Sequence, residues 1–268
     1  MDTNVSALVP RHVNGWRMGL ANMLAKENFA WWHTRRWWIQ ILVAVLILNG
    51  SLALNIRDPL GALVDLQAIN YLNTSALFVP ILIVILAQDA ILNERHSGTT
   101  AWVLSKPLQR PAFIFSKVIA YGLGFLVTWV LIPNIIFYIQ LVAAGRVGLS
   151  IPGFIGLIAL SYLNLLFYLT LALMLATLFD SRVPGLGISL LIAWTGPMQI
   201  LARPMEKYVP WLEDILPWKL ISSFGEPPLA GYLALGAKLP TVLPIIATVL
   251  WCVLFVAVAI WRTGREEF

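Results

Sequence analysis

Six stretches of this chain contain no Asp, Glu, Lys or Arg: residues 37–56, 66–88, 118–145, 147–179, 183–202 and 239–261. Each reaches or exceeds the roughly 20 residues that carry a helix across a bilayer. Inside hydrocarbon a backbone has no water to bond to, so it must satisfy its own N–H and C=O groups in helices or in a closed barrel. Barrel strands alternate apolar and polar residues over segments of about 10, and these stretches show no such alternation. Composition agrees: of 268 residues, 59% are hydrophobic and 12% charged, against about 25% charged in a soluble domain. Mean hydropathy is +0.81. The expectation is an all-α integral membrane protein with six transmembrane helices, a single domain over residues 1–268. The first apolar run follows a basic amphipathic segment and lacks a small-residue cleavage site, so it is expected to stay in the mature protein.

Cationic residues set the expected orientation. With the N-terminus inside, the inner segments hold Arg11, Arg17, Lys26, Arg35, Arg36, Arg95, Lys106, Arg110, Lys117, Arg182, Arg262 and Arg265, twelve in all. The outer segments hold six: Arg57, Arg146, Arg203, Lys207, Lys219 and Lys238. The positive-inside rule then places both termini, and the loop 93–110, in the cytoplasm of a multi-pass protein of the inner or plasma membrane. The net charge of +5 follows from this bias and from anionic lipid at the inner leaflet, and calls for no nucleic acid.

Before the first run, Val13, Trp16, Leu20, Met23, Leu24 and Trp31 fall close to a helical period, with Arg17, Asn22, Lys26 and Asn28 largely off that stripe. A basic amphipathic helix rich in aromatics lies in the headgroup plane, so residues 13–36 are expected to form an amphipathic elbow. Trp31, Trp32, Trp37 and Trp38 flank Arg35 and Arg36, an aromatic and cationic anchor. The first outer loop is expected from Arg57 to about Asn70. Residues 203–240 carry six prolines with Tyr208, Trp211, Trp218 and Tyr232. They are too polar to span and too apolar for a solvated linker, which points to short interfacial or re-entrant helices on the outer side.

Several chemistries lack their residues. No G-x-x-x-x-G-K-[ST] phosphate loop and no H-E-x-x-H zinc motif occurs. The three histidines, His12, His33 and His96, lie outside the six runs, and the single cysteine is Cys252. Ser189, in Gly-Ile-Ser, resembles the serine of an intramembrane protease, but no span offers a base to activate it. Mid-membrane carboxylates of the kind ion-coupled carriers use are absent; Asp89 sits at a helix end. What remains in the spans is neutral: Asn49, Asn134, Gln140, Asn164, Thr195 and Gln199. Such groups act as interhelical hydrogen-bond glue or line a pathway for a hydrophobic cargo, with Asn49, Asn134, Thr195 and Gln199 the candidates.

The loop NERHSGTTAWVLSKPLQR, 93–110, is more than a turn. The second span runs past the bilayer to Glu94 and Arg95, and Ser97-Gly98 ends it. Thr99 or Thr100 can cap a short helix, and Pro107 stops it. Pro111 then starts the helix that leads through Lys117 into the third span. On the short helix Trp102 and Leu104 have two readings: an apolar knob rimmed by cations for docking a partner, or an interfacial turn with Trp102 among headgroups.

The pattern Glu94-Arg95-x-x-Gly98-Thr99-x-x-x-x-Leu104-Ser105-x-Pro107-x-x-Arg110, followed by Lys117, strongly resembles that of the type-2 ATP-binding-cassette permeases of export type. The run LAKENFAWWHTRRWWIQ, with Glu27, is similar to that family's elbow, and six spans with interfacial helices before the last also match its plan. The resemblance implies a transmembrane subunit that pairs with a second permease half, as homodimer or heterodimer, and binds separate ATP-binding-cassette ATPase subunits. It implies that residues 98–106 form a cytoplasmic coupling helix between spans 2 and 3, seated in a cleft of the ATPase. Glu94 and Arg95 would brace its base and Arg110 would flank it. ATP and Mg would then belong to the partner, with no cofactor, metal or catalytic residue on this chain. Trp102 departs from the family pattern, where the position is often smaller or acidic. Other readings are a non-transporting scaffold that docks an ATPase through the same loop and, remotely, an intramembrane hydrolase.

Overall fold

The structure is a computed structural model that describes residues 19–55, 64–96, 109–145, 149–198, 208, 211–222 and 226–265. Among the described residues every regular element is helical. Helix α1 (Leu20–Trp32) follows Gly19, whose φ of 82° is the left-handed conformation glycine tolerates. It ends at a turn held by Thr34, whose hydroxyl donates to the Trp31 carbonyl (3.3 Å) and accepts from the Arg36 backbone N–H (3.4 Å). Arg36 thus opens the first span instead of closing the elbow. Of the expected elbow, residues 13–18 lie outside the described residues.

The first span is α2 (Arg36–Ala44), a π-helical turn (Val45–Asn49) and α3 (Gly50–Asn55). The second is α4 (Val64–His96), which takes in residues 64–70, expected to be loop. Its 33 residues make about 50 Å of helix, against a hydrocarbon core of about 30 Å, so one end stands clear of the bilayer. The third span is α5 (Arg110–Phe125), a second π-helical turn (Leu126–Leu131) and α6 (Ile132–Ala143). That turn ends two residues before Pro133, which has no N–H for the ladder; a widened turn takes up the missing bond.

The fourth span, α7 (Ile151–Leu178), is capped by the Ser150 hydroxyl, which accepts from the Gly153 N–H at 3.1 Å. A tight turn at Asp180-Ser181 leads to α8 (Arg182–Met198), with Pro184 in its first turn. Then come three short helices, α9 (Trp211–Ile215), α10 (Trp218–Ile221) and α11 (Leu229–Ala234), and the last span, α12 (Leu243–Arg265). Among the described residues five helices are long and apolar enough to cross a membrane: the first to fourth spans and α12. Helix α8 is apolar but shorter, and the rest of its expected run lies beyond the described residues.

Helix α7 is the mast, packed against α4, α8, α11 and α12. In its most apolar stretch 67% of residues are buried, against 22% in α12, which faces outward. Lipid is as apolar as leucine, so such helices associate by close fit rather than by escaping water. Gly153 shows this: a Cβ there would run into the Leu233 carbonyl of α11. The short helices α10 and α11 tuck into the bundle, burying Trp218, Leu220, Leu229 and Ala230. The Trp218 indole donates to the Ile192 carbonyl (3.1 Å), and Trp251 donates to that of Ile215 (2.9 Å).

Candidate functional site

Met23, Glu27 and Trp31 are the buried residues of α1, spaced four apart on one stripe. The stripe lies against α5, where Gly124 leaves room for the Trp31 ring; a Cβ there would intrude on the indole. Trp31 also meets Tyr121 and Phe125 edge-on, at 5.2 and 4.9 Å between ring centroids. This seating fixes Glu27, one turn earlier, beside the start of α5.

Four charges meet there. Lys117 Nζ lies 3.1 Å from Glu27 Oε1 and 2.8 Å from Glu94 Oε2. Lys26 Nζ lies 2.6 Å from Glu94 Oε1 and 3.7 Å from Glu27 Oε1. Two lysines and two carboxylates balance. The side chains of Lys117 and Glu27 are 1% and 7% exposed, so neither charge would be tolerable alone. The Lys117 ammonium also stands 5.0 Å from the centre of the Phe113 ring, a cation–π contact. Burial pushes the Glu94 carboxyl up, but Lys117 and Lys26 outweigh it and hold the group below its ordinary value. Burial likewise pulls Lys26 down, and Glu94 with Glu27 more than restores it, leaving it raised.

The cluster ties three elements: the elbow helix α1, the last turn of α4 and the second turn of α5. The last two are the stalks on either side of residues 97–108, which lie outside the described residues. Arg110, at the foot of the second stalk, donates from its guanidinium to the Gly264 carbonyl. That carbonyl belongs to the final turn of α12, where helix C-termini expose unpaired acceptors. Across the same end of the bundle, Asp89 on α4 pairs with Arg182 on α8 at 3.1 Å.

Of the residues expected at the site, Glu27, Trp31 and Glu94 are brought together, and Arg110 is linked to α12 instead. Arg35 and Arg36 are exposed at the turn into the first span. Gly98, Thr99, Trp102, Leu104, Pro107 and Gln199, and the side chain of Arg95, lie outside the described residues. Lys26 was not foreseen. It stands one residue from Glu27, and Glu94 and Lys117 each flank a charge-free run; charges at one membrane depth are drawn to pair.

The candidate pathway residues sit deeper. The Asn49 Nδ2 donates to the Pro133 carbonyl (3.0 Å) and to Gln140 Oε1 (3.2 Å), while Gln140 Nε2 donates back to the Asn49 carbonyl (3.2 Å). One node nearer the elbow, Gln40 Oε1 accepts from Trp129 Nε1 (3.2 Å) and the Thr128 hydroxyl (3.3 Å). The Asn134 Nδ2 donates to the Val130 carbonyl (2.7 Å) in its own helix. Asn49 and Asn134 are 2% and 3% exposed, and Asn49 bridges the first and third spans. Thr195 donates to the Ile192 carbonyl. Ser189 is fully buried, and among the described residues its hydroxyl has no hydrogen-bond partner and no base beside it.

The sequence model of a family described as ABC-2 family transporter protein matches residues 21–268. No curated protein matches the chain.

Proposed function

Because the chain belongs to the ABC-2 family of transporter proteins and is a multi-pass membrane subunit of such a transporter, we propose how it is driven. ATP is hydrolysed on separate ATP-binding-cassette subunits, and their closure pushes on a coupling helix at residues 98–106. The push passes through α4 and α5 to the spans, which switch access by rigid-body motion and export a cargo. In this reading the loop 93–110 and both termini are cytoplasmic, and Mg and ATP reside on the partner.

The observation that carries this reading is the charge cluster of Lys26, Glu27, Glu94 and Lys117, with Lys117 and Glu27 buried at its centre. A loop that merely reversed the chain would need no such clasp on both of its stalks. With the clasp, a force on the loop displaces α4, α5 and the elbow as one body. Arg110 extends the same body to the end of α12. The transporter is completed by a second permease half, a copy of this chain or a different one. The outward face of α8, with Ile188, Leu191 and Trp194 at 40%, 61% and 51% exposure, is a surface on which it could pack.

Purifying the tagged chain from native membranes is expected to bring down an ATP-binding-cassette ATPase. Trp102→Ala and Gly98→Pro should lower its recovery, or leave it bound but no longer stimulated by cargo. Wild-type recovery and stimulation in both variants would overturn the coupling assignment. An ATPase that binds normally but never responds to cargo would instead favour a non-transporting scaffold.

A further inference from the structure

Where the elbow turns into the first span, a cleft of about 360 Å³ opens between α1, α2, α4 and α5. Its size falls within the roughly 300–1,000 Å³ of small-molecule sites. Glu27, Trp31, Arg36, Gln40, Asp89 and Tyr121 line it, with Ile39 and Leu86 as apolar walls. Its charges are not evenly satisfied. Glu27 is paired with Lys117 and Lys26, and Asp89 with Arg182. Among the described residues the Arg36 guanidinium faces no carboxylate partner; only its backbone N–H is engaged, by Thr34.

Gln40 supplies a second donor. It is 8% exposed, and its Oε1 accepts from Trp129 and Thr128. An indole N–H can only donate, so the amide is oriented with its oxygen toward α5. The Nε2 is left without a partner among the described residues. Arg36 and Gln40 are four apart and share a face of α2, whose first turn presents unpaired N–H groups and the positive end of its dipole. One side of the cleft is therefore built for an anion. The Glu27 and Asp89 oxygens give the other side an edge suited to a cation.

The cleft-lining Trp31, Arg36 and Ile39 neighbour the exposed Trp32 and Trp38 in the chain, and aromatic side chains of this kind mark the membrane interface. From the cleft, Ile39, Leu42 and Leu46 run along one outward face of the first span, at 45%, 54% and 69% exposure. A molecule with a charged head in the cleft would find an apolar track for its tail. We propose that the cleft holds the headgroup of a phospholipid bearing both a phosphate and a primary ammonium. The phosphate sits on Arg36 and the Gln40 amide, the ammonium faces Glu27 and Asp89, and an acyl chain follows Ile39, Leu42 and Leu46.

Native mass spectrometry of the purified full chain in detergent, titrated with phosphatidylethanolamine, phosphatidylglycerol or inorganic phosphate, tests this. One phosphatidylethanolamine should be retained in preference to phosphatidylglycerol. Arg36→Gln should weaken it about tenfold, the size expected for one charge-assisted hydrogen bond. Gln40→Glu keeps an acceptor for Trp129 and Thr128 while turning an oxygen on the phosphate, and should weaken it similarly. Arg35→Gln, an exposed neighbour outside the cleft, should leave retention unchanged. Undiminished retention in Arg36→Gln would overturn the site, and that arm decides alone if Gln40→Glu fails to fold. Equal retention of phosphatidylglycerol would overturn the headgroup, and displacement of lipid by millimolar phosphate would make this a free-anion site.

Discussion

At the elbow end of the bundle, α1, α4 and α5 are joined by four charges, two of them on side chains under 10% exposed. Starting eleven residues farther along the third span, about 16 Å of helix, the side-chain links between the first and third spans among the described residues come from neutral amides, a hydroxyl and an indole. Depth explains the difference. Lys117 is the last residue before the charge-free run 118–145, and Lys26, 46% exposed, keeps its cluster in touch with solvent. Opposite charges can be buried there if each is paired. Deeper in, an ion would cost more than any pair repays, so the polar links are groups that neutral hydrogen bonds satisfy. A strong clasp and weak stitches therefore occupy one interface.

The largest test of that contrast is Lys117→Met. It leaves Glu27 and Glu94 buried with only Lys26 between them and should cost about 3–5 kcal/mol, read as a lowered Tm of the purified protein in detergent. Adding Glu27→Gln and Glu94→Gln should recover most of the loss, because the trouble lies in unpaired charge rather than in a missing contact. A triple variant as unstable as the single one would refute the electrostatic account. Next in size, Gly124→Ala pushes the Trp31 ring off α5 and should cost about 1–3 kcal/mol through overpacking. It should expose the α1 backbone to hydrogen exchange while leaving protection around Asn49 intact.

A smaller effect is expected from Asn49→Leu. Interhelical hydrogen bonds within a membrane are worth roughly 0.6–1.7 kcal/mol, so this variant should fall well short of Lys117→Met in Tm loss. The subtlest test is pH. Glu94 is held below its ordinary 4.5, so its contribution is present above that value and is lost as pH falls through the folded-state value. Lys26 is raised from its ordinary 10.5, so its contribution is complete below that value and is lost as pH rises through the folded-state value. Wild-type Tm should drop on acidification below 4.5, and Glu94→Gln should flatten that drop. The amide stitches, having nothing to titrate, should be insensitive throughout.

Much of the fold was legible because the bilayer enforces so few solutions. A charge-free run must become a helix, and the structure follows these runs wherever it describes them. The short helices before the last span were legible from prolines and aromatics, and the helical stalks around 97–108 from glycine and proline placement. Less legible was where the elbow stops. Thr34 decides this by bonding both to Trp31 behind it and to Arg36 ahead, a local choice that hydrophobic periodicity does not report. The start of α4 at Val64 was missed for a related reason. Residues 64–70 contain Asp65, Gln67 and Asn70, which read as loop when depth is judged from polarity alone.

Sequence alone determined that this chain is a helical membrane protein, and its loop pattern pointed to the family whose model matches it. Hydrocarbon tolerates neither unpaired backbone nor unpaired charge, so both constraints are written along the chain. Tertiary structure decided which polar residues become partners. Glu27, Glu94 and Lys117 lie far apart in sequence, and only the seating of Trp31 on Gly124 brings the elbow close enough to pair them. The same packing left Arg36 and one end of Gln40 unspent beside a cleft. Pairing depends on distances of a few ångströms between helices, and no one-dimensional pattern encodes those distances.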